Sequence, residues 1–360
     1  MSEKKVYRAI GLMSGTSLDG VDAALIDTDG YTIVKPLDFV TIPYTAEERE
    51  AIRAAFGQKK HSDVVEGAEK VVTSAHIRAV EQAAWGADII GFHGQTIYHA
   101  PGEGVTVQIG DGQAMADALK IDVVADFRTN DVAHGGQGAP LAPLYHGARA
   151  FHDDVELPAI FLNIGGVANI TYVDREHILA FDTGPGNALL DDWTKLRTGQ
   201  AFDKDGELSS SGQILDNVLS DWLQHPYFNE KPPKSLDRDE WDIADFGRHV
   251  RCLEEISDAD GAATLLAFTT ETIKRARDFL PEAPKAWYLC GGGRHNDALV
   301  TALAKDLPVR MVEDLGWNGD ATEAECFGYL AVRSLLGEPL SRPTTTGIAK
   351  PLSGGVLHKP

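Results

Sequence analysis

Two Gly-rich segments in different halves of the chain share one plan, an apolar strand, a turn of small residues and a second apolar strand. The first turn reads Ser14-Gly-Thr-Ser-Leu-Asp-Gly20 and is followed by Asp22, and the second reads Asn163-Ile-Gly-Gly-Val-Ala-Asn169. Glycine lets backbone N–H groups approach an anion closely, and the polar side chains can bind phosphate or a hydrated metal ion. The repetition predicts that both turns hold the phosphates of one nucleotide, ATP, in a cleft between two related domains.

The first turn supplies the three kinds of group that a triphosphate needs. Backbone donors come from its glycines, hydroxyl donors from Thr16 and Ser17, and a carboxylate for Mg²⁺ from Asp19. The alternative is an ordinary hairpin turn, because Asp-Gly is a common turn dipeptide. The second turn favours phosphate binding.

A third Gly-rich loop, Leu289-Cys-Gly-Gly-Gly-Arg-His-Asn296, joins a predicted strand to a predicted helix. Its glycines permit close approach to a base or ribose, and Asn296 can cap the helix or bind the nucleotide. The chain has no Gly-x-x-x-x-Gly-Lys-Ser/Thr motif, so the nucleotide site is not of the Walker type. The residues predicted to contact ATP are Ser14, Gly15, Thr16, Ser17, Asp19, Gly20, Asp22, Asn163, Gly165, Gly166, Asn169, Gly184, Gly291, Gly292, Gly293 and Asn296.

A single aspartate stands out as a candidate general base. Asp182 ends a buried apolar run and precedes the turn Thr-Gly-Pro-Gly-Asn187, which starts a helix. Carboxylates at the carboxyl ends of strands in α/β folds are well placed for acid–base chemistry. The alternative is that Asp182 only accepts hydrogen bonds from turn amides.

Another strand end carries polar residues suited to a hydroxyl-rich substrate such as a sugar. His93, Gln95 and Thr96 lie in the segment His-Gly-Gln-Thr, although a lone histidine at a strand end is more often structural. Arg128 and Arg238 are isolated cations that can bind a carboxylate bidentately or form a surface ion pair. Zinc-protease and serine-hydrolase motifs are absent from the sequence.

Composition bounds the possible functions. The chain has 360 residues, enough for two domains, with 43% apolar and 24% charged residues. A net charge of −21 argues against nucleic acid or an anionic membrane as a partner. Cys252, Cys290 and Cys326 are few and widely spaced, which argues against a disulfide framework or a zinc site. With no signal peptide and no apolar run of about 20 residues, we expect a cytoplasmic protein.

The elements that position these residues repeat along the chain. Three predicted strands open each half and are followed by alternating helices and strands, so we predict a duplicated α/β architecture. The boundary is expected at 134/135, with the crossing in Gly-Gly-Gln-Gly-Ala-Pro140 and an irregular insertion at about 224–241. Amphipathic spacing of Val64, Ala68, Val71, Ala75 and Ala79 predicts a helix between residues 62 and 85. A final helix is expected at about 320–336, packing with the tail towards the first lobe.

Several motifs together resemble the anhydro-N-acetylmuramic acid kinase family. They are Met13-Ser-Gly-Thr-Ser-Leu-Asp-Gly-Val-Asp22, His93-Gly-Gln-Thr96, Asp126-Phe-Arg128, Gly135-Gly-Gln-Gly-Ala-Pro-Leu141, Leu162-Asn-Ile-Gly-Gly-Val-Ala-Asn-Ile-Thr171, Phe181-Asp-Thr-Gly-Pro-Gly-Asn187, Pro232-Pro-Lys-Ser235, Gly291-Gly-Gly293 with Asn296, and Glu323-Ala-x-x-Phe327. The order of these blocks extends the resemblance through nearly the whole chain. The chain departs from the family pattern at His134, Leu236, Asp237, Glu325 and Cys326.

The resemblance implies an actin-like, ribonuclease H-like fold of two duplicated lobes with ATP and Mg²⁺ between them. It implies a cytoplasmic, homodimeric enzyme of peptidoglycan recycling that converts 1,6-anhydro-N-acetylmuramic acid, ATP and water into N-acetylmuramic acid 6-phosphate and ADP. The family's catalytic aspartate falls on Asp182, and its glutamate in the last helix falls on Glu323. His93, Gln95, Thr96, Arg128 and Glu323 are the expected substrate residues, with Arg128 near the lactyl carboxylate.

Two other functions remain open from the sequence. A levoglucosan-type kinase performs the same chemistry on an anhydrosugar that lacks the lactyl and N-acetyl groups. A non-catalytic, chaperone-like or filament-forming actin relative would turn over ATP without sugar and would carry large interaction segments. The 360-residue chain offers little room for such segments.

Overall fold

The computed structural model describes residues 5–236 and 256–360. Contacts divide the chain into two compact units, Met1–Val155 with Ala321–Pro360, and Glu156–Asp320. The division therefore falls after Val155, whereas the sequence predicts the boundary after His134. Segment 135–140, predicted as the crossing, lies in the first unit. Arg238, Cys252 and residues 237–241 of the predicted insertion lie outside the described residues.

The first unit is built on a seven-stranded sheet in the order β12-β6-β4-β1-β2-β3, with β5 pairing with β4. Strands β1 to β3 form an antiparallel meander, β4 runs parallel to both β1 and β6, and β12 is antiparallel to β6. The strands are β1 (Tyr7–Ser14), β2 (Gly20–Thr28), β3 (Val34–Pro43), β4 (Ile89–Ala100), β5 (Val105–Ile109), β6 (Asp122–Ala125) and β12 (Val356–His358).

The helices of the first unit connect and cover these strands. They are α1 (Ala46–Arg53), α2 (Asp63–Ala83), α3 (Gly112–Leu119), α4 (Thr129–Ala133), α5 (Pro143–His152), α11 (Thr322–Leu335) and α12 (Pro343–Thr346), where α11 and α12 come from the C-terminal segment. Helices α1, α2 and α3 begin at side-chain caps from Thr45, Ser62 and Asp111. These caps satisfy N–H groups that the first helical turn leaves unpaired.

The second unit has a five-stranded sheet in the order β11-β10-β7-β8-β9. Its strands are β7 (Ala159–Ile164), β8 (Val167–Val173), β9 (Ile178–Pro185), β10 (Ala286–Cys290) and β11 (Val309–Met311). The described helices are α6 (Ala188–Thr198), α7 (Glu207–Ser210), α8 (Asp216–Trp222), α9 (Asp258–Arg275) and α10 (Asp297–Ala304). Residues 224–236 contain only a short 3₁₀ turn, Pro226–Asn229, in keeping with the irregular segment predicted there.

The two sheets repeat one topology. In each, three antiparallel strands are followed by two parallel strands added beside the first of them, giving the orders β3-β2-β1-β4-β6 and β9-β8-β7-β10-β11. Parallel neighbours require a crossover, which α2 and α9 provide. The predicted duplicated α/β architecture is confirmed.

Helix α2 confirms the predicted amphipathic segment but shifts its buried face. The structure buries Val65, Ala68, Val72, Ala75 and Ala79, whereas the side chain of Val64 is 45% exposed. Ser62 caps the helix, and its first turn lies near the edge of the core. The face that meets the sheet therefore starts at Val65, one residue later than predicted.

Helix α11 of the first unit lies directly on strands β1 and β4. A Cβ added at Gly11 of β1 would come within 1.8 Å of the Ala324 carbonyl oxygen, and one at Gly91 of β4 within 2.0 Å of the Phe327 carbonyl oxygen. Both glycines therefore serve the close approach of α11, because any side chain at either position collides with helix backbone. C-terminal residues 321–360 thus belong to the core of the first unit.

Replacing Gly91 by alanine is expected to lower the free energy of unfolding by about 3 kcal/mol or more, because α11 must move away from β4. The measurement is urea denaturation followed by circular dichroism. Gly67→Ala in α2 is the matched control: a Cβ there meets no atom within 4 Å. That helix substitution should stabilise the protein by about 0.5–1 kcal/mol. Equal stability of the two variants would contradict the proposed packing constraint.

Candidate functional site

The first Gly-rich turn presents its polar residues to solvent. Leu18, at the centre of the turn, is fully buried and has a φ of 57°, in the left-handed region. This anchor leaves Thr16, Ser17 and Asp19 exposed, and the Ser17 hydroxyl donates to Asp19 Oδ1 at 2.8 Å. The turn can therefore offer hydroxyls and a carboxylate to a ligand, as the sequence predicts.

Not all residues of this motif point outward. Ser14 is buried at the end of β1, where its hydroxyl donates to Gln95 Oε1 at 2.6 Å and lies 2.8 Å from the Tyr44 hydroxyl. The Gln95 amide donates in turn to the carbonyl oxygen of Thr96 at 3.1 Å. Asp22 lies within β2 and accepts from the Thr41 hydroxyl at 2.6 Å. Ser14 and Gln95 thus join β1 to β4 beneath the turn.

His93 and Arg128, both predicted to touch substrate, contact one another. Arg128 Nε donates to His93 Nε2 at 3.0 Å, and Arg128 Nη1 donates to the Gly138 carbonyl oxygen at 2.7 Å. His93 is only 4% exposed, while Arg128 is half-buried. Burial, followed by the positive charge of Arg128, holds the pKa of His93 well below its ordinary value, so the imidazole is neutral.

The first turn of α11 carries two glutamates with different surroundings. Glu323, the predicted substrate residue, is exposed. Glu325 is buried, 3.0 Å from Arg149 Nη1, and it accepts the Tyr145 hydroxyl. Burial raises the pKa of Glu325 although Arg149 opposes the shift. Glu325, a departure from the family pattern, is therefore part of an internal ion pair with Arg149.

In the second unit, three predicted site residues lie side by side across adjacent strands. Asn163 of β7 is opposite Asn169 of β8, and Asn169 is opposite Asp182 of β9. Directly opposed residues of antiparallel strands point to the same face, with Cβ atoms about 4.5–5.5 Å apart. The structure thus places the amide side chain of Asn169 beside the predicted general base, with Asn163 one strand further across the same sheet.

The turn between β7 and β8 is held by the start of α6. Gly165 accepts the Asn187 N–H at 2.8 Å, and Gly166 accepts the N–H of Gly186 at 2.9 Å and of Ala188 at 3.3 Å. The carbonyl groups of these two glycines therefore already accept hydrogen bonds from the backbone at the start of α6. Such bonds fix the backbone of a glycine turn that has little rigidity of its own.

Asp182 is restrained by a segment distant in sequence. Asp182 is only 7% exposed, and its Oδ2 accepts a hydrogen bond from the Leu236 N–H at 2.9 Å. Its backbone N–H donates to the Lys234 carbonyl at 3.0 Å, and its carbonyl accepts the Tyr227 hydroxyl at 2.7 Å. Asp182 thus accepts a backbone amide, as the alternative predicts, and this amide comes from Leu236 in the irregular segment 234–236.

Lys234 is a buried cation beside this carboxylate. Its Nζ donates to the Tyr227 carbonyl at 2.7 Å and lies over the rings of Tyr227 and Phe279, 4.3 Å and 5.1 Å from their centroids. Burial lowers the pKa of Lys234 to about 8, opposed by the charges of Glu230 and Asp182. Sequence reasoning matched Lys234 to a family motif without giving it a role.

The third Gly-rich loop packs against the end of β7. A Cβ on Gly291, whose φ is 74°, would come within 2.2 Å of Asn163 Oδ1. Buried Arg294 holds the loop, donating to the Gly291 carbonyl at 3.0 Å, to Asp320 at 2.9 Å and to Glu313 at 3.0 Å. Arg294 was missed from the sequence because its partners follow β11, far along the chain.

The remaining predicted nucleotide residues occupy different positions. Asn296 caps α10 by accepting the Leu299 N–H at 3.0 Å, which is the first of its two predicted roles. Gly184 is buried, and a Cβ there would be 2.7 Å from the Thr272 hydroxyl of α9. Gly292 faces open space. Contact of any of them with a nucleotide stays a prediction.

The described residues contain neither a cluster of metal-ligating side chains nor a candidate membrane span. No group of three or more His, Cys, Asp or Glu side chains in residues 5–236 and 256–360 could hold a metal ion. The helices in the described part of the chain lack the combination of length and apolar composition that a bilayer crossing needs.

Comparison with known proteins identifies the family. Residues 7–360 match the family of anhydro-N-acetylmuramic acid kinases. Proteins of that name from Rhizorhabdus wittichii and Paramagnetospirillum magneticum are 49% and 48% identical, each covering 98% of this chain and 99% of the relative. The chain therefore belongs to the anhydro-N-acetylmuramic acid kinase family.

A solved structure of more distant sequence also aligns along most of the chain. Component A of (R)-2-hydroxyglutaryl-CoA dehydratase from Acidaminococcus fermentans is 10% identical, with a TM-score of 0.46, covering 92% of this chain and 100% of that one.

Substitution of Lys234 tests the burial of its charge beside Asp182. In the wild-type protein the pKa of Lys234 is about 8 in the folded state and 10.5 in the unfolded state. The unfolded chain therefore binds more protons between these pH values. The stability of the wild type relative to Lys234→Met should therefore rise from pH 8 to pH 10.5, by up to roughly 3 kcal/mol. Urea denaturation of both proteins across this range measures it. A difference independent of pH would contradict the lowered pKa.

Proposed function

We propose that the chain is an ATP-dependent kinase that hydrolyses the 1,6-anhydro bond of anhydro-N-acetylmuramic acid and phosphorylates O6, giving N-acetylmuramic acid 6-phosphate and ADP. Family membership over residues 7–360 supports the substrate class. The observation that carries the mechanism is the buried carboxylate of Asp182 within β9, three residues before the strand ends, bonded through one oxygen to the Leu236 N–H.

The shape of the substrate dictates the order of bond changes. The anhydro bridge joins C1 to O6, so no free 6-hydroxyl exists before the ring opens. Water forms a bond to C1, the C1–O6 bond breaks, and O6 forms a bond to the γ-phosphorus as the bond to ADP breaks. The proton of the attacking water passes to a base, and the phosphoryl group takes up the charge of the leaving O6.

Asp182 is proposed as that base. A carboxylate held by a backbone N–H and flanked by Asn169 has a fixed direction, which general-base catalysis requires. Leu236 donates a hydrogen bond to this carboxylate, and the ammonium of Lys234 supplies a positive charge nearby. Asn169 and Asn163 are proposed to orient phosphate or water through their amide groups.

The nucleotide is proposed to be ATP with Mg²⁺. The exposed Thr16, Ser17 and Asp19 of the first turn suit phosphate oxygens and a hydrated ion. Mg²⁺ is commonly bound through one or two carboxylates together with substrate phosphates, and Asp19 fits this role. When bound, the ion neutralises phosphate charge.

Family membership also supports a cellular role. We infer that the enzyme acts in the cytoplasm as a homodimer and recycles the anhydrosugar released from peptidoglycan. These inferences extend beyond the chemistry of the site and rest on the resemblance of the chain to its family.

Substrate selectivity is the direct test. We expect rapid ADP release with anhydro-N-acetylmuramic acid, and little with levoglucosan or free N-acetylmuramic acid, because only the first has both the anhydro bond and the lactyl and N-acetyl groups. In ¹⁸O-labelled water, mass spectrometry should locate one solvent oxygen at C1 and none in the phosphate. Preference for levoglucosan would identify the alternative kinase, and ADP release independent of sugar would identify an ATPase module.

Asp182→Asn tests the base. The amide cannot accept a proton from water, so kcat should fall by about 10²–10⁴. ATP binding, measured by calorimetry, should stay near that of the wild type. Asp192→Asn is the matched control, because Asp192 is exposed on α6. Turnover by Asp182→Asn within a few-fold of the wild type would refute the assignment.

A further inference from the structure

We propose that His93 is a positioning residue that orients the guanidinium of Arg128 towards the carboxylate of the sugar substrate, rather than a residue that touches the sugar. The inference rests on the proposed function for the identity of the ligand. It rests on the contacts of the first unit for the role of His93.

Both ring nitrogens of His93 have protein partners. Nδ1 lies 2.9 Å from the carbonyl oxygen of Gly94, and Nε2 lies 3.0 Å from Arg128 Nε. The Nε of arginine can only donate, so His93 Nε2 must accept and the ring proton must be on Nδ1. Both nitrogens of the neutral imidazole therefore take part in hydrogen bonds within the protein.

Packing fixes the ring as well as the tautomer. The imidazole packs against Phe327 of α11 in a tilted arrangement, with a centroid distance of 4.4 Å and an interplanar angle of 37°. Phe327 also contacts Phe127, the residue before Arg128, at 5.2 Å. Phe327 of α11 therefore contacts both the ring of His93, which accepts the hydrogen bond, and Phe127, which precedes Arg128 in the chain.

A second acceptor fixes another part of the guanidinium. Gly138 accepts Arg128 Nη1 through its carbonyl and donates its own N–H to Asp131 Oδ1 at 2.6 Å. The other oxygen of Asp131 accepts the Thr346 hydroxyl at 2.7 Å, and both of these residues are buried. The Gly-rich segment 135–140 is thus secured to the first unit and presents one carbonyl to Arg128.

These two contacts orient the guanidinium of Arg128. His93 and the Gly138 carbonyl are both uncharged acceptors, one on each of two guanidinium nitrogens. A planar guanidinium held at two nitrogens has a defined direction, which is what bidentate recognition of a carboxylate needs. Muramic acid carries such a group in its lactyl ether, and 1,6-anhydro-N-acetylglucosamine lacks it.

The experiment compares binding of these two sugars by calorimetry. In His93→Leu, which loses the acceptor, affinity for anhydro-N-acetylmuramic acid should fall by about 10–100-fold, since a hydrogen bond to a charged group contributes about 1.5–3 kcal/mol. Affinity for 1,6-anhydro-N-acetylglucosamine should change by less than about twofold. His93→Gln, whose Oε1 can accept from Arg128 Nε, should restore most of the loss. Arg128→Lys keeps the charge but loses the Nε donor, and should show the same selective loss if His93→Leu does not fold.

A double-mutant cycle separates positioning from general structural damage. In the Arg128→Met background, His93→Leu should have no further effect on either sugar, because the group it positions is gone. Equal weakening of both sugars, or independent effects of the two substitutions, would overturn the positioning role. A wild-type protein that does not bind anhydro-N-acetylmuramic acid would instead refute the proposed function.

Discussion

The first unit depends on the contact between the backbone of α11 and the two strands at its centre. Gly11 and Gly91 leave no space between β1, β4 and the carbonyl oxygens of Ala324 and Phe327. Glycine within a strand costs conformational entropy, so two of them at facing positions indicate that close approach of the helix matters more than strand propensity. This approach brings Phe327 against His93 and places Glu323 and Glu325 at the start of the helix, next to the ends of the strands. A shift of α11 would move the histidine, and through it the arginine.

The second unit is organised around the same principle, with hydrogen bonds in place of close packing. Asp182 stands in a row with Asn169 and Asn163 because β7, β8 and β9 are antiparallel and pair these residues, with a register shift in the β8–β9 pairing between Ala168 and Asn169. The row alone would leave the carboxylate free to rotate, and the Leu236 N–H removes that freedom. A buried carboxylate costs free energy unless its oxygens are hydrogen-bonded, so the segment from Tyr227 to Leu236 stabilises the same charge that we propose takes part in the reaction.

Buried polar groups divide into those that act and those that position. Ser14 and Gln95 bond to one another beneath the first turn, and Arg294 fixes the third loop. None of these can be told from a ligand-binding residue by its type, because the same hydroxyl, amide and guanidinium groups serve both purposes. Exposure separates the accessible side chains of Thr16, Ser17, Asp19 and Glu323 from the enclosed side chains of Ser14, Gln95 and His93. Catalytic sites need such supporting residues, since a polar group is useful only when its direction is fixed.

Local features of this chain determined much of its structure. Apolar runs and Gly-rich turns predicted the duplicated strands and the Gly-rich turns that join them, because strand period and turn chemistry depend on neighbouring residues. The motifs, in order, were sufficient to name the family. Tertiary structure alone decided which face of α2 is buried, and it moved Val64 to the surface. It also decided that Lys234 and Leu236 lie against Asp182, that Gly138 and His93 hold Arg128, and that the C-terminal segment completes the first unit. These contacts join residues tens to hundreds of positions apart, and their free energy depends on distance and burial in three dimensions, which no local pattern in the sequence records.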